Sequence, residues 1–358
     1  MNKATQNHIK EADGIRGVAC LSVLIVHTTA ITFPATYPYF YGTGKIGVWL
    51  FFTLSSFLLT YQLVLRGFSK KVLIDYFISR VLRIYPLFVL IIFVYYYFGT
   101  ADINTTTDVI DAITFRTGYA HLWTIPVEFK FYFILPVFAF VGNLIHVQYG
   151  RWGLLGTGIA LSLIHQIYAP YWLLWPNTIE TFQYLPAFLF GVVAAIIKLN
   201  DTGSWMAKRG VFIGNGILIG ILASTPLMRY FILGIPPSGY LINKYLFISL
   251  AWTVFIYSQI NSKSLLRSLL ISQPLTRLGL YSYSIYLIHW LILNKLASYY
   301  PERAATVAAA IFLSILFGFL MYSYIEKPLL SARKHIQTAF NLRPSNTVAD
   351  QTNLRTGG

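Results

Sequence analysis

Residues 9–27 read IKEADGIRGVACLSVLIVH: two acids and an arginine, then small and branched apolar residues closing on a histidine. The apolar character runs over residues 15–34, and one helix needs about 20 such residues to cross the hydrocarbon layer of a bilayer. Nine further apolar runs follow, at about 46–65, 84–99, 121–145, 152–169, 180–198, 211–225, 244–260, 278–297 and 304–325. The chain has 358 residues, of which 56% are hydrophobic, 17% aromatic and only 11% charged, a balance that suits lipid as solvent. The expected fold class is therefore all-α, a polytopic membrane helical bundle of about ten transmembrane helices. Residues 1–335 are expected to form this transmembrane domain, and the polar residues 336–358 a disordered tail.

An even number of spans puts both termini on one side. Of the 27 Lys and Arg, 20 fall on that side; Lys45, Arg116, Arg229, Lys244, Lys295 and Arg303 fall on the other, and Lys130 lies inside a span. The positive-inside rule then predicts cytoplasmic termini and a bacterial inner-membrane location. The net charge of +15 is distributed by topology, not gathered on a soluble face, which argues against a nucleic-acid partner. Glu11 and Asp13 sit directly before the first run, unlike a cleaved signal peptide, so the first helix is expected to stay. The single cysteine, Cys20, excludes an intramolecular disulfide framework. No metal site is expected.

An ionisable group inside the hydrocarbon region needs a partner, a cavity or a function. The candidates are Arg16, His27, Glu128, Lys130 and His289, with Asp13 at the edge. Arg16 and His27, eleven positions apart, share one helix face and stand about 16 Å apart along it. By itself this pair also fits an interfacial arginine and a histidine that bonds a neighbouring helix. Counted from the start of the 121–145 run, Glu128 falls about 10 Å inside the membrane, a level that matches His27 and suggests a carboxylate orienting an imidazole. Arg80 and Arg83, one turn apart at the mouth of the third span, can grip one anion together, with Lys70 and Lys71 nearby; on the residues alone, anchors touching lipid headgroups are the favoured reading. His289 lies in a hydroxyl-rich stretch, YSYSIYLIHW at 281–290, that reads first as a helix-packing network.

Six segments, in order, resemble the acyltransferase-3 family of membrane O-acyltransferases. They are residues 9–27; FFTLSSFLLT at 51–60, with Ser56 where the family usually has glycine; SRVLRIYPLF at 79–88; HLWTIPVEFKFYFILPVF at 121–138; LGLYSYSIYLIHW at 278–290; and IEKP at 325–328. The resemblance implies transfer of a short acyl group, often acetyl, from cytoplasmic acetyl-CoA or another short acyl-CoA. The implied acceptor is a hydroxyl of an envelope glycan or lipid-linked sugar, such as O-antigen, lipopolysaccharide or exopolysaccharide. It implies a catalytic His27, an essential Arg16, and Arg80 and Arg83 as donor-binding residues. We expect Glu128 to assist His27, and Asp13, Trp123, Tyr283 and His289 to support the site, with Trp123 and Tyr283 as candidate oxyanion donors. His27 could act as general base or be acylated itself, and the sequence leaves both open. Many relatives carry an additional esterase-like domain; with about 30 polar residues after IEKP, this chain is expected to finish the transfer in its membrane unit or pass the acyl group on. The competing class is a transporter or flippase of an envelope precursor, for which internal repeats or paired broken helices would have spoken.

Overall fold

A computed structural model describes residues 9–201, 205–260 and 264–339. Among these residues there are helices and no strands. In chain order the helices are α1 (Lys10–Thr32), α2 (Tyr37–Phe40), α3 (Gly44–Arg66), α4 (Lys70–Phe98), α5 (Thr106–Ile113), α6 (Thr124–Tyr168), α7 (Leu185–Asn200), α8 (Trp205–Ala223), α9 (Pro226–Leu233), α10 (Tyr245–Gln259), α11 (Leu265–Leu270), α12 (Gln273–Tyr299), α13 (Ala304–Met321) and α14 (Lys327–Ala339). The helix α14 runs through residues 336–339, the start of the expected tail; residues 340–358 lie outside the described residues.

Local chemistry sets several boundaries. Ser69 caps α4, its side chain accepting from the Val72 N–H, and Gly99 ends that helix at φ 58°, where a left-handed residue costs glycine little. Thr105 and Asp108 form a reciprocal capping box at the start of α5. Hydrogen bonds from the Thr105 hydroxyl and from the Asn104 and Thr105 backbone hold the Asp108 carboxyl below its ordinary pKa.

By length and composition, six described helical stretches can cross a membrane, or seven if the bent pair α8 and α9 counts as one. This is fewer than the ten runs read from hydropathy. The runs at 121–145 and 152–169 lie in one helical stretch, interrupted where Gly150 takes φ 66°. The helix α10 covers only 15 residues, and α12 carries its apolar run among Ser, Tyr and His and does not meet the apolarity of a lone span.

The pairing of α1 with α12 positions the site. Without lipid-excluding water between them, membrane helices associate through close packing of small residues. A Cβ on Gly17 would lie 2.2 Å from the Leu275 carbonyl oxygen, and one on Gly279 would lie 1.8 Å from that of Asp13. The two backbones therefore touch, and they run parallel: Cys20 Sγ lies 3.9 Å from the Ser282 carbonyl, and His27 meets His289. A second close approach joins α3 to α7. There a Cβ on Gly191 would lie 2.0 Å from Ser56 Oγ. The serine at the position where glycine was anticipated is thus accommodated by a glycine on the facing helix.

Candidate active site

Two neighbouring cavities lie between α1, α3, α6 and α12. The first, about 70 Å³, is lined by Arg16, Arg80, Arg83, Glu128, Ser55, Tyr132, Tyr283 and other residues of these helices and α4. The second, about 240 Å³, is lined by His27, Lys45, His121, Trp123, Asn177 and Trp290 together with aromatic and small residues. We refer to them as the arginine cavity and the histidine cavity.

The arginine cavity brings together Arg16, Arg80 and Arg83 from two helices, while Lys70 and Lys71 stay exposed at the start of α4. Arg16 Nη1 lies 3.8 Å from Asp13 Oδ1. Arg83 Nη1 lies 3.9 Å from Glu326 Oε1, and the Ser284 hydroxyl donates to Glu326 Oε2 at 2.8 Å. Glu326 comes from the IEKP segment and is carried inward by a π-helical turn, Tyr322–Glu326, which leaves it 1% exposed. Sequence inspection had not picked it out. Arg80 makes no ion pair among the described residues; its guanidinium lies 6.0 Å from the Tyr132 ring. Three guanidiniums thus converge with Glu128 on the cavity, two of them beside the carboxylates of Asp13 and Glu326, an arrangement that can donate to an anion with several oxygens.

Glu128 occupies the arginine cavity, where it accepts a hydrogen bond from the Tyr132 hydroxyl. The level match with His27 counted helical rise from residue 121. Residues Ala120–Trp123 instead form a 3₁₀ turn, and His121 and Trp123 of that turn already line the histidine cavity. Glu128, more than a helical turn further on, lies past them.

The partner of His27 is His289. His27 Nδ1 and His289 Nε2 are 3.0 Å apart, with the two rings within 6° of coplanar. His289 Nδ1 lies 2.7 Å from the Tyr286 carbonyl oxygen. A carbonyl only accepts, so His289 Nδ1 must carry the proton and its Nε2 must be the acceptor. His27 then donates through Nδ1, and its Nε2 bears the free lone pair. The side of the ring with Nε2 faces Gly44, whose position leaves room there: a Cβ on it would come within 3.2 Å of that nitrogen. His289 is 1% exposed, so the network it completes is a packing contact and a tautomer lock at once.

Other expected residues divide between the cavities. Trp123 lines the histidine cavity, with the Lys45 ammonium 4.9 Å from its ring and donating to Asn177 Oδ1 at 2.9 Å. Tyr283 lines the arginine cavity, and its hydroxyl is committed to the Ile84 carbonyl at 2.7 Å. Lys130 reaches the Ile179 carbonyl at 3.5 Å, in neither cavity. His121 donates from Nε2 to the same Tyr286 carbonyl at 3.0 Å. Among the described residues no group of three or more His, Cys, Asp or Glu is arranged to hold a metal ion.

The chain is 25% identical to a Staphylococcus aureus (strain COL) protein provisionally named an O-acetyltransferase, with 94% of this chain and 59% of that protein aligned. It is 24% identical to the O-acetyltransferase OatA of S. aureus (strain NCTC 8325 / PS 47), over 88% of this chain and 56% of OatA. The chain thus spans less than two thirds of the length of these curated relatives. No solved structure matches it. The family model described as an acyltransferase domain matches residues 9–323, nearly the whole chain, and the chain belongs to that acyltransferase-3 family.

Proposed function

We propose that the chain is a membrane O-acyltransferase that moves a short acyl group, acetyl in the first instance, from a coenzyme A thioester to a hydroxyl of an envelope carbohydrate. Coenzyme A phosphates dock on Arg80 and Arg83 from the cytoplasm, and the thioester passes Arg16 toward His27. The acceptor hydroxyl, on an envelope glycan or lipid-linked sugar, enters the histidine cavity from the opposite side of a bacterial inner membrane, with both termini cytoplasmic as the charge asymmetry suggests.

The observation that carries this reading is the hydrogen-bond chain from His27 through His289 to the Tyr286 carbonyl. It leaves a basic nitrogen, Nε2 of His27, at the histidine cavity. There Nε2 takes the hydroxyl proton, the oxygen bonds to the thioester carbonyl carbon, and the tetrahedral adduct collapses as the carbon–sulfur bond breaks. The proton on Nε2 passes to the departing thiolate, which leaves as the thiol. His289 supports the imidazolium by accepting from Nδ1 throughout. Aromatic walls around His27, including Tyr41, Trp123 and Trp290, offer flat apolar faces to a sugar ring. Glu128 and Asp13 act from the donor side, tempering the charge of the arginines.

The test is mass spectrometry of envelope glycans from cells with and without the gene. One acyl unit of added mass, lost with His27→Ala at equal protein abundance, is the expected result; substantial transfer by His27→Ala removes the central claim. Accumulation of an unmodified precursor would favour transport instead. Arg80→Ala/Arg83→Ala should raise the apparent KM for acetyl-CoA more than that for the acceptor.

A further inference from the structure

The two cavities share three of their walls, α1, α3 and α12. Along α1, Arg16 lines the first and His27 the second; along α3, Phe51, Phe52 and Ser55 line the first, and Gly44 and Lys45 the second. On α12, Ser282 and Tyr283 belong to the arginine cavity and Trp290 to the histidine cavity. Two residues line both: Val48 on α3 and Tyr286 on α12. They form the wall that the two cavities share, past which a thioester held by the arginines would present its carbonyl to His27.

Neither wall yields easily. The Tyr286 hydroxyl donates to the His121 carbonyl and accepts from Thr124 Oγ1 at 2.7 Å, and the same residue's carbonyl anchors His289 and His121. Val48 is buried, 8% exposed, and a β-branched side chain on a helix has essentially one χ1 rotamer. Val48 and the held Tyr286 ring are therefore the stiff parts of the wall between the cavities.

We infer that Val48 is the specificity-determining residue for acyl-chain length, restricting the donor to short acyl groups. This rests on the reading of the arginine cavity as the donor site. One extra methylene that must be accommodated against a close apolar wall changes discrimination by roughly tenfold or more.

The experiment uses membrane vesicles carrying the full chain, supplied in turn with acetyl-, propionyl-, butyryl- and hexanoyl-CoA. The readout is the ratio of acylated glycan masses, normalised to the acetyl product. Val48→Ala should raise the propionyl-to-acetyl ratio about tenfold, and Val48→Leu should lower it. A ratio unchanged in both variants, with His27→Ala inactive in the same vesicles, overturns the inference and leaves the transferase reading in place. Transfer that survives in His27→Ala overturns the reading beneath it.

Discussion

Replacing His289 by alanine tests the centre of the site without touching the residue assigned the chemistry. In the native arrangement His27 Nδ1–H has His289 Nε2 as its acceptor at 3.0 Å, and that bond holds the proton away from Nε2. Alanine leaves the donor unpaired beside buried residues. An unsatisfied buried donor costs about 1–3 kcal/mol, and the imidazole escapes that cost by moving its proton to Nε2, which removes the base. At about 1.4 kcal/mol per factor of ten, transfer should slow by roughly 5- to 150-fold. His289→Gln offers an amide oxygen near the lost nitrogen and should recover most of the rate. The assay is initial transfer from isotopically labelled acetyl-CoA into the glycan fraction of vesicles, at matched protein abundance, with the donor KM followed in parallel. The donor KM should stay within about twofold, because no arginine is disturbed. A His289→Ala enzyme within about twofold of the native rate, or a glutamine variant no better than alanine, would refute the tautomer lock.

Three further perturbations probe the frame. Gly191→Ala pushes a methyl to 2.0 Å from Ser56 Oγ and 2.3 Å from the Thr53 carbonyl oxygen, so it should destabilise the protein by about 1–3 kcal/mol; Ser56→Gly should not rescue it, because the backbone oxygen remains, as thermal unfolding in detergent will show. Asp75 is fully buried and accepts from Arg66 at 2.6 Å and from Arg333 at 2.6 and 2.9 Å. Asp75→Ala should cost about 3 kcal/mol, the low end for a broken buried pair, since both arginines are partly exposed and can rehydrate. The depressed pKa of Asp108 means its capping box contributes stability at neutral pH, above the unfolded value, and loses it as pH falls through the folded one. Protection of the Asn104 and Thr105 amides, as exchange relative to the intrinsic rate at each pH, should therefore fall in acid, and Asp108→Asn should flatten that dependence.

The sequence disclosed what one helix can disclose. Arg16 and His27 lie on a shared face because helical geometry alone puts them there, and the spacing of Arg80 and Arg83 set them one turn apart before any packing was known. Contacts between helices were less accessible. Glu128 was assigned to the level of His27 by counting rise from residue 121, but which cavity its side chain lines depends on packing against α4 and α12, and it lines the one that holds the arginines. His289 looked like a packing residue because its sequence neighbours are hydroxyls; its role depends on the register of α12 against α1, set by glycine contacts some three turns away. Glu326 gave no signal beyond its short motif, since only the π turn before it aims the carboxylate at Arg83. The compensation of Ser56 by Gly191 sits in two segments separated by more than a hundred residues, which no local pattern connects.

The Tyr286 carbonyl oxygen receives N–H groups from two histidines, one of which fixes the tautomer of a third. That anchor belongs to the main chain, so no side-chain replacement deletes it. An alanine scan will register residue 286 as a ring on a cavity wall and miss the atom on which the histidines converge. Only an amide-to-ester exchange at the bond between residues 286 and 287, which weakens that oxygen as an acceptor, would expose its part. The most consequential polar atom of the site is thus one that genetics cannot address directly.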